Sequence, residues 1–94
     1  MEEKNELREL RAEIDSVDED VLNSLAKRTA LVKKIGRYKA THNIEAVDEG
    51  RRDAILKMWV EKGEALGLSK EFVTDINKLV HDYSVSVEKN RKDI

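Results

Sequence analysis

The stretch LRELRAEIDSVDEDVLNSLAKRTALVKKIGRYK, residues 7–39, decides the fold. Its apolar residues run Leu7, Leu10, Ile14, Val17, Val21, Leu25, Val32 and Ile35. Steps of three and four, with the same face regained after seven, are the signature of an amphipathic helix. Only Gly36 interrupts the pattern, and one glycine costs about 1 kcal/mol against alanine without ending a helix. The spacing predicts a single helix from about Asn5 to about Thr41, with His42-Asn43 as its exit. Such a helix is roughly 55 Å long, whereas a globule of this size has a radius of gyration of about 12 Å. The helix is too long to lie inside that globule. Its apolar stripe therefore needs a partner, and the simplest partner is a second copy of the chain.

The rest of the sequence reads as two shorter helices. Asp48 is a good N-cap for a helix carrying Ile55, Leu56, Met58, Trp59 and Val60, with Gly67 as the residue just past its end. A third helix starts after Ser69 and carries Phe72, Val73, Ile76, Leu79, Val80, Tyr83 and Val87. The short link between them suits antiparallel neighbours, whereas the link over residues 42–47 reads as loose and polar. Trp59 and Tyr83 are expected in the core, and the charged tail from Glu88 to Ile94 is expected to fray. The fold class that follows is all-α, three helices per chain in an intertwined homodimer, with residues 1–94 as one domain.

Composition agrees. The chain has no proline, and charged residues make up 40% against 39% hydrophobic and 4% aromatic, a balance that favours long amphipathic helices over a sheet. A formal net charge of −2 gives no bulk attraction for nucleic acid. The absence of cysteine excludes disulfide and thiol chemistry. His42 and His81 have no metal-binding spacing, so no metal is expected. The acidic start, Met1 to Glu6, is unlike a signal peptide, and no run approaches the roughly 18 apolar residues of a membrane span. A cytoplasmic protein without a membrane partner is expected.

Polar residues interrupt the long stripe in a telling way. Continued from Val21, it passes through Leu25, Arg28, Val32, Ile35 and Lys39. Arg28 lies within about 20° of both Ile35 and Lys39 on a helical wheel, so two cations occupy a seam that should be apolar. Buried unpaired charge is costly. Either an acidic side chain such as Glu88 compensates them, or an anionic ligand does, or they snorkel to solvent. Arg11 is 17 residues from Arg28, roughly 25 Å along one helix, so the two cannot share a site within that helix, and an antiparallel helix of a second copy could bring them to one place. Ser84 and Glu88 share a face of the third helix by their i, i+4 spacing. Arg51 shares a face of the second with Ile55 and Met58.

Taken in order, Leu10-Arg11-Ala12-Glu13-Ile14-Asp15, Asp18, Leu22, Leu25-Ala26-Lys27-Arg28, Ile35-Gly36-Arg37-Tyr38-Lys39, Val47-Asp48-Glu49-Gly50-Arg51 and Asp82-Tyr83-Ser84 with Glu88 resemble the all-helical (AroQ-class) chorismate mutases. The resemblance covers nearly the whole chain. It implies a cofactor-free rearrangement of chorismate to prephenate, a step of phenylalanine and tyrosine biosynthesis, in a dimer whose long first helices pair and whose sites each take one arginine from the other subunit. It further implies that Arg11 of the partner subunit, Arg28 and Arg51 surround the substrate carboxylates, with Ser84 as a neutral donor. Lys39 and Glu88 would hydrogen-bond the ether oxygen of the breaking bond, and Asp48 would help hold the ring hydroxyl.

The chemistry asks for residues of these kinds. A unimolecular pericyclic shift needs no nucleophile or metal, only a compact substrate conformer held by its two carboxylates and donors preorganised where negative charge develops. Two positions depart from the family pattern. Residue 88 is often glutamine there; Glu88 can donate to the ether oxygen only when it carries a proton, so activity is expected to fall as pH rises. The residue after Arg51 is commonly a glutamate that binds the substrate hydroxyl, and here it is Arg52, leaving Asp48 or Asp53 to take over. Some isochorismate-pyruvate lyases also lack that glutamate, which makes lyase chemistry the alternative within the same class. A non-catalytic helical dimerisation module is the alternative outside it.

Overall fold

A computed structural model describes residues 2–90, with the side chains of Glu2 and Glu3 excepted. Three α-helices follow one another: α1 over Glu2–Thr41, α2 over Glu49–Ala65 and α3 over Lys70–Lys89. No strand occurs among the described residues. None of the helices is long and apolar enough to cross a membrane. The helix over the opening stretch is continuous, at 40 residues, and begins three residues before the expected start. The chain falls into two compact units, Met1–Leu31 and Val32–Ile94.

The first unit is helix throughout its described length. Its large apolar side chains are exposed: Leu7, Leu10, Ile14, Val17, Val21, Leu22, Leu25 and Leu31. Arg28 and Thr29 are half-buried.

The second unit contains the last turns of α1 together with α2 and α3. Each helix end is built as local chemistry dictates. Beyond Thr41, Asn43 takes the left-handed conformation, with φ of 56°, and the amide of Ile44 donates to the carbonyl of Lys39 at 2.8 Å. This is the 6→1 closure that ends many helices, and asparagine is among the few residues other than glycine that adopt its turn readily. Asp48 starts α2 by accepting from the amide of Arg51 at 3.0 Å. Gly67, with φ of 84°, ends α2 in the same way as Asn43 ends α1: Leu68 N–H reaches Gly63 O at 2.9 Å and Gly67 N–H reaches Glu64 O at 3.0 Å. Ser69 caps α3 through the amide of Phe72 at 3.1 Å.

Helices α2 and α3 pack closely because Gly63 has no side chain. A Cβ at that position would lie 2.7 Å from Val73 Cγ2, inside van der Waals contact. The buried face of α3 then runs Val73, Asn77, Ser84 and Glu88, a spacing of four, seven and four that keeps one side of the helix inward. Above Gly63 and Val73 lies an apolar groove of about 290 Å³, lined in part by Trp59, Leu66, Phe72 and Ile76.

Three expectations are corrected. The inward stripe of α1 passes through buried Val32 and Gly36, while Ile35 is exposed. At 100° per residue Gly36 lies about 40° from Val32, nearer than Ile35 at about 60°. Tyr83 is 58% exposed and Trp59 only half-buried. Tyr83 shares with Phe72 and Leu79 an exposed apolar face of α3, about 100° around the helix from Val73. Finally, α3 does not fray at Glu88 but continues to Lys89, because Glu88 is held. The expected fraying of residues 91–94 lies outside the described residues.

Candidate active site

The centre of the site is an ion pair between the end of α1 and the end of α3. Lys39 Nζ stands 2.8 Å from Glu88 Oε1, with the two side chains only 18% and 11% exposed. Lys39 also donates to the backbone carbonyl of Ala46 at 2.9 Å. Two of the three N–H groups of an ammonium are thus directed at protein acceptors. One turn back from Glu88 on the same face, buried Ser84 donates its hydroxyl to the carbonyl of Val80 at 2.8 Å. The serine folds back onto its own helix, a geometry that short hydroxyl side chains adopt readily.

At the start of α2, Asp48 and Arg51 are joined by the capping bond, which ties the Asp48 carboxylate to backbone. Both residues are exposed, whereas Arg52 is half-buried. Asp48 follows Ala46 by two residues, so the same short link carries the Lys39 acceptor and the α2 cap.

Of the residues singled out from the sequence, the structure brings Lys39 and Glu88 into contact and sets Ser84 beside them in register on α3. Arg11 and Arg28 belong to the first unit. They stand 17 residues apart on one helix, roughly 25 Å, and one copy of that helix does not bring them to a common point. Arg11 is exposed and Arg28 half-buried. The Ala46 carbonyl was not foreseen, since a backbone acceptor leaves no mark in side-chain patterns. The one available signal was Asn43, whose tolerance of the left-handed turn allows the link to curl back over Lys39.

The chemistry open to this arrangement is narrow. It offers a fixed ammonium, a carboxyl group that donates or accepts according to its proton, and a neutral hydroxyl, all on well-packed helices. These are tools for binding an anionic or oxygen-rich molecule and stabilising charge on one of its oxygens. Residues 10–89 match the chorismate mutase type II family. The chain belongs to that family. Among curated proteins, the 4-amino-4-deoxychorismate mutase of Streptomyces venezuelae is 30% identical over 80 residues, covering 85% of this chain and 78% of that protein. The T-protein of Enterobacter agglomerans is 33% identical over 86 residues, which is 92% of this chain and 23% of the relative. The bifunctional chorismate mutase/prephenate dehydratase of Aquifex aeolicus is 34% identical over 90 residues, or 93% of this chain and 25% of the relative. The chain spans about a quarter of the length of these last two.

Proposed function

We propose that this chorismate mutase domain converts chorismate to prephenate as a cytoplasmic homodimer, without a cofactor, each site being completed by an arginine of the second copy. The observation that carries the reading is the Lys39–Glu88 pair, largely shielded from solvent beside Ser84, in a chain of this family. Lys39 donates to the ether oxygen as the carbon–oxygen bond breaks and charge gathers there, which lowers the barrier in a preorganised site. Glu88, when protonated, is the second donor to that oxygen. Arg28, Arg51 and Arg11 of the partner subunit hold the two carboxylates, and so select the compact conformer in which the new carbon–carbon bond can form. Ser84 joins them by turning its hydroxyl from the Val80 carbonyl. Asp48 caps α2 and accepts from the ring hydroxyl with its free oxygen.

Two features support the second copy. The apolar residues of the first unit are exposed in a continuous helical stripe, a surface that monomeric proteins rarely leave bare. The roughly 25 Å between Arg11 and Arg28 also requires another chain if both are to meet one substrate. The Streptomyces venezuelae and Aquifex aeolicus relatives are named as mutases, which favours rearrangement over lyase chemistry.

The test is a direct assay of the purified chain with chorismate, following loss of substrate absorbance and identifying the product. Prephenate well above the uncatalysed rate supports the reading. Pyruvate and salicylate from isochorismate would replace it with the lyase, and no turnover of either would reduce the protein to a binding module. A relative matched over most of its own length is named for 4-amino-4-deoxychorismate, so that compound belongs in the same assay, with chorismate expected to give the higher kcat/KM.

A further inference from the structure

We propose that the backbone carbonyl of Ala46 is a positioning group for Lys39, and that the α1–α2 link exists in its observed shape to place it. The proposal rests on Lys39 being the donor to the ether oxygen.

The link is bound to Lys39 at both ends of the residue. The Lys39 carbonyl receives the Ile44 amide at 2.8 Å, and the Lys39 ammonium reaches the Ala46 carbonyl at 2.9 Å. Between these contacts the chain reverses through Asn43 at φ of 56°. Residues 44–46 are thereby folded back along the side chain whose own backbone they cap. Two residues later Asp48 fixes the far end by capping α2, so the Ala46 carbonyl is held from both directions.

Lysine needs such an anchor. Its ammonium ends a flexible four-carbon stem, and a donor catalyses only if it is in place before charge develops. Glu88 supplies one contact, at 2.8 Å, yet Glu88 changes character with its proton. The protonated carboxyl that serves the ether oxygen attracts an ammonium less than the carboxylate does. The Ala46 carbonyl cannot titrate. It keeps one N–H of Lys39 engaged whichever form Glu88 takes, and leaves the remaining donor capacity for a ligand. The two acceptors thus divide the work: Glu88 pairs with the ammonium by charge, and the Ala46 carbonyl holds it by a hydrogen bond that needs no charge.

The experiment weakens that one acceptor. Chemical synthesis of the chain with an ester in place of the Ala46–Val47 amide turns the carbonyl into a poorer acceptor without changing any side chain. With chorismate, kcat is expected to fall about tenfold with KM little changed, as for loss of one hydrogen bond that matters in the transition state. In a Lys39→Ala background the same ester is expected to lower kcat no further, which separates positioning of Lys39 from general damage, including loss of the Val47 N–H. Asn43→Val is expected to reproduce the kcat loss and Asn43→Gly to retain activity, since glycine adopts the left-handed turn freely.

A second readout does not depend on turnover. The ¹⁵N ammonium signal of Lys39, observable when its rotation and exchange are slowed by hydrogen bonding, is expected to broaden or vanish in the ester protein. An unchanged ammonium signal with unchanged kcat, or an equal kcat loss in the Lys39→Ala background, would overturn the proposal. If the unmodified chain turns over no chorismate, or Lys39→Ala costs nothing, it is the reaction assigned above that fails. The ammonium signal would then still decide whether Ala46 anchors Lys39.

Discussion

The two units of this chain solve opposite problems with the same secondary structure. Over residues 4–31 the helix keeps its large apolar side chains exposed, from Leu25 at 40% to Leu22 at 65%. From Val32 onward the most buried side chains include Asn77, Ser84 and Glu88 beside Val32 and Val73. Apolar surface left out and polar groups taken in are both costly, and neither arrangement is economical in a lone chain. The difference is what the proposed function calls for, with the first unit serving an interface and the second a ligand. Hydrophobic pattern alone would not distinguish them, since α1 runs through both.

The sharpest way to break the second unit is Lys39→Ala. Loss of a preorganised donor to the ether oxygen is expected to lower kcat about 10²- to 10³-fold, measured with chorismate on protein whose helical circular dichroism is retained. The corresponding lesion in the first unit is Val17→Glu. A charge on a side chain that is 59% exposed in one chain costs a monomer little. Buried between copies it should weaken association by on the order of 100-fold, read by sedimentation equilibrium. An unchanged dimer would show that the stripe is not the interface.

A subtler division concerns pH. Glu88 donates to the ether oxygen only when it carries a proton. The wild-type kcat is therefore expected to decline toward alkaline pH. Glu88→Gln is expected to flatten the profile, because an amide donates at every pH. A profile indifferent to that substitution would leave Glu88 as a structural partner of Lys39 only. The smallest effect is purely structural: Gly63→Ala forces a methyl against Val73 Cγ2, 2.7 Å from the ideal Cβ position. The cost should be about 1–3 kcal/mol of stability, seen as a lowered denaturation midpoint, with kcat/KM unaltered wherever the protein stays folded.

How much of this was legible depended on whether side chains or backbone carried the message. Periodicity and caps are side-chain properties, so the long helix, the Asp48 and Ser69 starts and the ends at Asn43 and Gly67 could be read directly. The pairing of Lys39 with Glu88 stood among the candidates because a cation in an apolar seam needs an anion. Ile35 and Gly36 exchanged places because both flank the buried direction, and only packing selects between them. Tyr83 was misplaced for a related reason: α3 carries two apolar faces, and its spacing does not say which one turns toward α2. The end of α3 was hidden by composition. Its charged residues look like a tail until Glu88 is seen bound to α1. The Ala46 carbonyl lay beyond sequence altogether, since every residue has one.

The claim that most needs testing is that each site draws on two chains. Arg11→Ala and Arg28→Ala chains should each be nearly inactive as homodimers. Unfolded together and refolded as an equal mixture, they should form heterodimers in which one site of the two is intact, restoring about a quarter of wild-type activity. Recovery near that level would establish that Arg11 and Arg28 meet across the interface. No recovery, with heterodimers verified in the mixture, would contradict the shared site and place both arginines within the function of a single chain.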